Sequence, residues 1–410
     1  YGAALSNLLM AAGHTVHREY YINDAGRQVD ILAVSVWTRY LERLGVAVPL
    51  PSNGYKGDYL LPIAAALETT HQQKFRREAT EVLDGLPADE PQGGDKEIYI
   101  DALISRMRET LGETGFQAVV DHALAGMVAD IRGDLAEMGV TFDRWYSERS
   151  LATSGAIDEA LRRLESAGHT YRKDGALWFR ASEFGDDEDR VVERENGVRT
   201  YFASDIAYHL DKRERGYRRA INLWGPDHHA YITTLNAGLK ALGLEDDFLQ
   251  VLIVQQVNLL RDGQEVKMSK RAGEFITLDE LLAEVGVDAA RWSFGSRTPS
   301  TPIDFDIELA KKQSNETPVY YVQYAHARIA ALTRQAATNG VERRPLDDVD
   351  LSLLVHEREL DVLRVLSELH DTVTLACTER APHKITTWAA PAASFVLPFI
   401  STPCLGCWES

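Results

Sequence analysis

The chain has 410 residues, 45% of them hydrophobic, and a formal net charge of −18 at pH 7, so it is long enough for two or three domains with buried cores. No apolar run approaches the roughly 20 residues of a membrane helix, and no export signal precedes the first helix. We therefore expect a cytoplasmic protein without a membrane partner. The acidic balance argues against non-specific coating of nucleic acid, but it permits grip on a defined RNA through local basic patches such as Lys212–Arg219.

The three cysteines are too few for a disulfide framework. Cys404 and Cys407 form a CxxC pair, but no second ligand pair accompanies them. We predict no zinc or other structural metal site.

The first residues predict an amphipathic helix that is capped by Gly13 and followed by a strand from Val16 to Ile22. Because no N-cap precedes Tyr1, we interpret the chain as starting inside a helix, as a fragment would. From about Gly26 to Glu195 the pattern is mostly helical and is broken by polar loops.

Strands then alternate with helices. The stretch "TYFASDIAYHL" predicts a short strand that passes into a helix, and "AINLWGPDHHAYITTLNAGLKALG" predicts a strand from Ile221 to Trp224, a turn, and a helix that ends at Gly243. A single buried strand is predicted in "FLQVLIVQQVNLL". Such alternation indicates a parallel sheet, with ligand groups in the turns after the carboxyl ends of the strands.

Beyond Asp306 the pattern is helical. Thr317 can cap a helix whose first residue is Pro318, and residues 350–380 supply one or two further helices. The last 26 residues contain three prolines and one charged residue and lack helical periodicity. We therefore predict no helix in 388–410, which we interpret as an aberrant tail.

The stretch "GQEVKMSKRAGEF" gathers cations and a hydroxyl between two glycines. When a nucleotide is attacked at its α-phosphate, negative charge develops on the departing pyrophosphate, and Lys267, Ser269 and Lys270 on a closing loop can stabilise that charge. Gly263 and Gly273 would let the loop swing. A surface turn of lysines is the plainer alternative, but the position after a buried strand favours the catalytic interpretation.

"GPDHH" permits three interpretations. Asp227, His228 and His229 could be metal ligands, as in phosphoesterases with a DHH motif, but those need upstream aspartate clusters that are not convincingly placed here. Asp227 could merely lie near a helix N-terminus. We favour a third interpretation, in which Gly225 and Asp227 meet a ribose at the carboxyl edge of the sheet.

Tyr201 and Asp205 lie four residues apart where a strand is predicted to become a helix. Taken alone, Tyr201 is more often a packed tyrosine, and Asp205 is more often a carboxylate near the start of a helix. Together at a sheet edge they could bind a planar cation, with the carboxylate accepting two hydrogen bonds and the phenol oxygen a third.

These motifs, with "EYYINDAGRQ" and "DFDIELAKKQSNETPVYYVQYAHARI", resemble arginyl-tRNA synthetase, a class I aminoacyl-tRNA synthetase, from Tyr1 to about Thr387. The resemblance implies ATP with Mg²⁺, L-arginine and tRNA(Arg) as ligands, and we expect a monomer. It assigns the arginine side chain to Tyr201 and Asp205, and catalysis to Lys267, Ser269 and Lys270. The residues that it places near the nucleotide are Gly225, Asp227, His228, Met268 and Arg271. A further motif of Asn23, Asp24, Gly26 and Gln28 lies beside the catalytic centre, with contacts that the resemblance leaves unassigned.

The resemblance also implies an α/β fold, with a Rossmann-type parallel-sheet catalytic domain, a connective insertion and an all-α anticodon-binding domain. The predicted bounds are 1–30 and 196–290 for the catalytic domain, 31–195 for the insertion, 291–317 for a connector, 318–387 for the helical domain and 388–410 for the tail.

Three departures from the family pattern affect the expected activity. The HxGH motif of the family would precede Tyr1, Ala230 and Thr234 replace the more usual Gly and Arg, and the final helices give way to the tail. We therefore expect the chain as written to be inactive as an arginine–tRNA ligase. A tRNA-binding remnant, a class I synthetase for another amino acid, and a DHH phosphohydrolase remain as alternatives.

Overall fold

The structure is a computed structural model that describes residues 1–266, 276–312, 317–341 and 344–401, with the backbone alone for 399–401. Its longer helices are α1 (Gly2–Ala11), α2 (Arg27–Arg43), α3 (Leu60–His71), α4 (Ala79–Leu83), α5 (Lys96–Glu137), α6 (Glu148–Thr153), α7 (Ala156–Ser166), α8 (Tyr201–Glu214), α9 (Tyr231–Ala241), α10 (Leu278–Val285), α11 (Val287–Gly295), α12 (Ile307–Ala310), α13 (Pro318–Thr338), α14 (Glu357–Thr378) and α15 (His383–Ser401). Its strands are β1 (Glu19–Ile22), β2 (Arg144–Ser147), β3 (Thr170–Lys173), β4 (Ala176–Phe179), β5 (Arg190–Glu193), β6 (Ala220–Trp224), β7 (Leu249–Ile253), β8 (Val257–Arg261), β9 (Gln264–Glu265) and β10 (Ile303–Asp306).

The predicted parallel pairing is confirmed. In the described part of the chain, β1 pairs with β2, β6 with β7, and β8 with β10, each in parallel. Parallel strands need long crossover connections, and here most of the crossovers contain helices. The strands β3, β4 and β5 form a separate antiparallel meander, and β9 is an antiparallel addition to β8.

Two strand predictions need correction. The strand expected from Val16 begins only at Glu19, where pairing with Arg144 of β2 starts. The run "FLQVLIVQQVNLL" forms two strands, β7 and β8, in different sheets. Pairing with β6 ends at Val254, and the backbone N–H of the next residue, Gln255, donates to the carbonyl oxygen of Pro299 at 2.8 Å. An apolar run long enough for one strand thus serves two sheets.

The stretch at Tyr201 is also different from the prediction. It contains no strand, because α8 begins at Tyr201 itself. Phe202, Ala203 and Ile206 are buried at helical spacing, and they pack in a core shared with α7, α9 and β6. The carboxylate of Asp205 therefore projects from the first turns of a helix.

A helical core lies between β1 and β2 in the sequence. The helices α2, α3 and α5 bury an apolar cluster around Trp37, Tyr40 and Leu103. The indole Nε1 of Trp37 donates to the carbonyl oxygen of Phe75 at 2.8 Å, which ties the loop after α3 to α2. This unit supports the segment that carries Asn23 and Asp24 from one side.

The carboxyl-terminal helices confirm one prediction and overturn another. The helix α13 starts at Pro318 as expected, but the hydroxyl of Thr317 donates to the carbonyl oxygen of Lys312 at 2.7 Å instead of capping the helix. The prediction of no helix after residue 387 is wrong for 388–401, which belong to α15 despite Pro391 and Pro398. Burial outweighs the two prolines, because α15 packs against α13 and α14 and Trp388 Nε1 donates to the Val365 carbonyl oxygen at 2.9 Å.

Candidate functional site

Asp205 lies in a half-buried position on α8, where its carboxylate faces a cleft of about 1750 Å³ between α1, β1, α8 and β6. Its Oδ2 accepts a hydrogen bond from the hydroxyl of Tyr231 at 2.7 Å. No hydrogen bond to Oδ1 is made by the residues that the structure describes. Burial raises the pKa of Asp205, and the Tyr231 hydrogen bond and the charges of Lys212 and His228 act in the opposite direction. One carboxylate oxygen is therefore anchored and the other is available to a ligand.

Tyr201 precedes Asp205 by one helical turn. Its side chain is 71% exposed, and its hydroxyl lies 3.8 Å from the point where a Cβ on Gly26 would stand. Gly26 has a φ of +90°, in the region that favours glycine. The α8 residue predicted to bind arginine thus borders the predicted motif that contains Asn23, Asp24 and Gln28.

Glu148, which sequence reasoning missed, adds a second carboxylate to this site. It is only 8% exposed. Burial, together with the charges of Asp205 and Asp24, raises its pKa to about 7. Burial raises the pKa of Tyr21, and the charges of Glu148, Asp205 and Asp24 raise it as well. The site therefore favours a ligand that brings positive charge.

The residue Asp24 supports this arrangement structurally. Its Oδ2 accepts a hydrogen bond from the Ser147 hydroxyl at 2.5 Å, and its Oδ1 accepts one from the backbone N–H of Arg149 at 2.8 Å. Both of its oxygens are thus engaged at the N-terminus of α6. Asp24 follows β1 and Glu148 follows β2, so parallel pairing brings them to the same edge of the sheet. That position after a strand is the signal that could have identified Glu148 from sequence.

Asn23 and Gln28 have contacts that the resemblance left unassigned. With its amide oriented to donate, the Asn23 Nδ2 atom lies 3.0 Å from Glu148 Oε2. The Oε1 atom of Gln28 accepts a hydrogen bond from the Tyr55 hydroxyl at 3.3 Å. Asn23 thereby orients the buried glutamate, and Gln28 joins the motif to the helical core.

The "GPDHH" segment stands at the carboxyl end of β6, as predicted. Gly225 follows Trp224, the last residue of that strand, and a Cβ at Gly225 would lie only 2.6 Å from Asp227 Oδ1. Asp227 and His228 are exposed, and Asp227 Oδ2 lies 3.4 Å from His228 Nε2. No group of three or more His, Cys, Asp or Glu side chains that could hold a metal occurs in the described ranges. The described residues therefore do not support the metal-ligand interpretation. A nucleotide-binding role for this turn remains a prediction.

The five residues Lys267, Met268, Ser269, Lys270 and Arg271 lie outside the described residues. The structure describes what precedes them, a hairpin of β8 and β9. Asp262 and Gly263 form its turn with φ values of 52° and 76°, which is typical of a tight turn that requires glycine. The predicted swing of the loop about Gly263 stays a prediction.

The basic patches of the sequence, Lys212–Arg219 and Lys311 with Lys312, could be solvated helix faces or contacts for RNA, and they are largely engaged in ion pairs. Arg215 binds Glu19 at 2.8 Å, and Arg219 pairs with Asp247. Lys311 lies 3.1 Å from both Glu284 and Glu308. The exposed pairs of Arg219 and Lys311 contribute little stability, whereas the side chain of Glu19 is largely buried. Their cations are nevertheless less available to a polyanion than the sequence alone suggested.

None of the helices among the described residues has the length and apolar character needed to cross a bilayer.

Comparisons with known proteins identify the family of the chain. The family model for the catalytic domain of class I tRNA synthetases (R) matches residues 127–295, and that for the DALR anticodon-binding domain matches residues 322–394. The chain is 52% identical to the arginine–tRNA ligase of Thioalkalivibrio sulfidiphilus over 96% of its own length and 67% of the relative's. It is 48% identical to that of Halorhodospira halophila over 98% of its own length and 69% of the relative's.

Solved structures give the same result. An arginyl-tRNA synthetase structure from Campylobacter jejuni superimposes with a TM-score of 0.80 at 30% identity, covering 97% of this chain and 79% of that one. The arginyl-tRNA synthetase of Thermus thermophilus has the same fold, with a TM-score of 0.69 at 20% identity over 99% of this chain and 71% of its own. With an α/β catalytic part, a helical carboxyl-terminal domain and 52% identity to a named relative, the chain belongs to the arginine–tRNA ligase family of class I aminoacyl-tRNA synthetases.

Proposed function

We propose that this protein serves the ATP-dependent ligation of arginine to tRNA(Arg). The expectation that these 410 residues by themselves are inactive stays a prediction, which the exchange assay described below tests. The chain spans about two thirds of the length of the relatives that it matches, so activity, substrates and partners are all part of this proposal. The observation that carries it is the half-buried Asp205 with one anchored carboxylate oxygen, close enough to raise the pKa of the buried Glu148. A guanidinium group is planar and positively charged, and it suits such a pair of carboxylates.

Binding of arginine would resolve the unfavourable charge of this pocket. Burial disfavours the ionised forms of Asp205 and Glu148, and the charges of Asp205 and Asp24 disfavour the ionised form of Glu148 as well. A guanidinium between them would favour ionisation of both carboxyls and would donate a hydrogen bond to the phenol oxygen of Tyr201. Lysine, with a compact ammonium group, could not make the same paired hydrogen bonds to a carboxylate.

In the first chemical step, an oxygen of the arginine carboxylate attacks the α-phosphorus of ATP. The new C–O–P linkage forms as the bond to pyrophosphate breaks, giving arginyl-adenylate. Lys267, Ser269 and Lys270 would stabilise the charge that develops on pyrophosphate. Gly225, Asp227 and His228 at the end of β6 would contact the nucleotide, with Met268 and Arg271 nearby.

In the second step, a hydroxyl of the terminal adenosine of tRNA(Arg) attacks the carbonyl carbon of the adenylate. AMP leaves with the bonding electrons, and the hydroxyl proton is lost. The helices α13, α14 and α15 would contact the tRNA anticodon region, in keeping with the DALR match over residues 322–394. Mg²⁺ would enter with ATP on its phosphates, which it partly neutralises.

The proposal is tested by isothermal titration of the protein with L-arginine and by ATP–pyrophosphate exchange in the presence of tRNA. Saturable arginine binding that Asp205→Ala abolishes, together with arginine-dependent exchange, would support it. Binding of tRNA without either signal would favour the alternative of a tRNA-binding protein without catalysis, for which the DALR match is the motive. Sedimentation would check the proposed monomer, and cell fractionation the proposed cytoplasmic location.

A further inference from the structure

The buried histidine of α8 has no role in the site described so far. His209 is 1% exposed and lies one turn after Asp205. Its Nδ1 is 2.7 Å from the backbone carbonyl oxygen of Asp205, and its Nε2 is 2.8 Å from the side-chain Nδ2 of Asn222 in the middle of β6. The ring therefore bridges the residue that is expected to bind arginine and the neighbouring strand.

These contacts determine which atoms carry the protons. A carbonyl oxygen only accepts, so Nδ1 of His209 donates to Asp205, and in the neutral ring Nε2 accepts from the Asn222 amide. The Oδ1 atom of Asn222 in turn accepts from the Lys212 ammonium at 3.3 Å. Each group therefore donates a hydrogen bond to the next: Lys212 to Asn222, Asn222 to His209, and His209 to the backbone carbonyl oxygen of Asp205.

The surroundings keep the His209 ring neutral at neutral pH. Burial lowers the pKa of His209 to about 3, and the charge of Lys212 acts in the same direction. Burial lowers the pKa of Lys212 to about 8, and its Nζ lies 4.0 Å from the centre of the Tyr208 ring. The charged groups that act on Lys212 are Glu19 of β1 and Asp205, Asp211 and Arg215 of α8.

The unit formed by β6 and α9 holds Asp205 at two points. Tyr231, the first residue of α9, binds its carboxylate, and Asn222 holds its backbone through His209. Two anchors on one residue define both the position of its carbonyl and the direction of its carboxylate. With one anchor removed, the helix could rotate and Oδ1 would no longer have a single orientation toward the cleft.

We propose that Asn222 is a positioning residue for arginine binding, which acts through His209 on Asp205. The inference rests on the proposed function, because it concerns the same arginine pocket. It adds a residue of β6 that touches neither substrate nor nucleotide in the proposed mechanism. Its effect should be specific to the ligand that Asp205 binds.

The test uses two substitutions of the same size in the whole protein. Asn222→Leu removes both the donor to His209 and the acceptor for Lys212. Asn222→Asp keeps the acceptor, and its carboxylate can accept a hydrogen bond from Nε2 if His209 takes up a proton. The matched control is Asn258→Leu, since Asn258 also lies within a parallel strand and its Nδ2 donates to Asp304 at 2.8 Å in the other sheet.

Arginine affinity is measured by calorimetry, and the charge of His209 by the ring ¹⁵N shifts at pH 7, assigned with His209→Gln. We expect Asn222→Leu to weaken arginine binding about tenfold, as the loss of buried hydrogen bonds implies, while Asn258→Leu changes it less than about twofold. In Asn222→Asp we expect a charged His209 and arginine affinity within about threefold of the wild type.

Three results would overturn the inference. The first is an Asn222→Leu protein that binds arginine as the wild type does, and the second is a His209 ring that stays neutral in Asn222→Asp. The third is equal loss of affinity in Asn222→Leu and Asn258→Leu, which would indicate a merely structural role. If the wild-type protein binds no arginine, the proposed function fails as well, and that outcome is distinguishable because it requires no variant.

Discussion

Replacing Asp205 with asparagine should separate recognition of charge from recognition of shape. The substitution keeps the size of the side chain, and the new amide oxygen can still accept from the Tyr231 hydroxyl, which now lies 2.7 Å from Oδ2. That orientation turns the amide NH₂ toward the cleft. The guanidinium of arginine would then face two donor hydrogens instead of a carboxylate oxygen.

The expected cost follows from burial. Breaking one side of a fully buried charge pair costs about 3–5 kcal/mol. Because Asp205 is half-buried, we expect the lower end, about 3 kcal/mol, or a loss of about 10²-fold in arginine affinity. The remaining carboxylate of Glu148 still attracts the ligand, so weak binding should persist.

Calorimetry with L-arginine and with citrulline, its neutral analogue of similar shape, forms a double-mutant cycle with Asp205→Asn. Arginine should lose most of its advantage over citrulline in the variant, because citrulline never made the charge interaction. Asp304→Asn removes an exposed carboxylate from β10 and controls for net charge. A coupling energy below about 0.5 kcal/mol in this cycle would refute the assignment of Asp205 to the guanidinium.

Three further predictions concern other parts of the chain. Because the pKa of Glu148 is raised to about 7, its carboxyl is mostly neutral at pH 6 and mostly ionised at pH 8. Arginine affinity should therefore rise up to about tenfold from pH 6 to pH 8, and Glu148→Gln should remove this dependence on pH. An unchanged pH profile in the variant would contradict the prediction. In a form of the protein that supports ATP–pyrophosphate exchange, Lys270→Ala should raise the barrier by about 2–4 kcal/mol and so lower kcat, while the KM for ATP changes little. Near-normal exchange would show that the loop assignment is wrong. Trp37→Phe should reduce the free energy of urea unfolding by about 1–3 kcal/mol, since the Phe75 carbonyl oxygen loses its buried donor, with arginine affinity unchanged as the control.

Local features were predictable from the residues alone. The strand before "GPDHH", the helix after it and the start of α13 at Pro318 each follow from a short pattern, since a buried strand, a Gly-Pro turn and a proline at the first helical position act within a few residues. Tyr201 and Asp205 were expected where a strand passes into a helix, whereas both lie in the first turns of α8. Thr317 shows the limit of such reasoning. It was correctly predicted to precede the first residue of the helix, but its hydroxyl donates to the carbonyl oxygen of Lys312 instead of capping the helix.

The tertiary structure decided what depends on residues distant in sequence. Asp24 and Glu148 meet because β1 and β2 pair in parallel across more than 100 residues of intervening helices, and no local pattern encodes that pairing. The same applies to the division of the run after Phe248 into two sheets and to α15, where packing on α13 and α14 outweighs two prolines. A sequence specifies chemistry at short range, but the charge that an acidic pocket presents to its ligand depends on which carboxylates folding buries together.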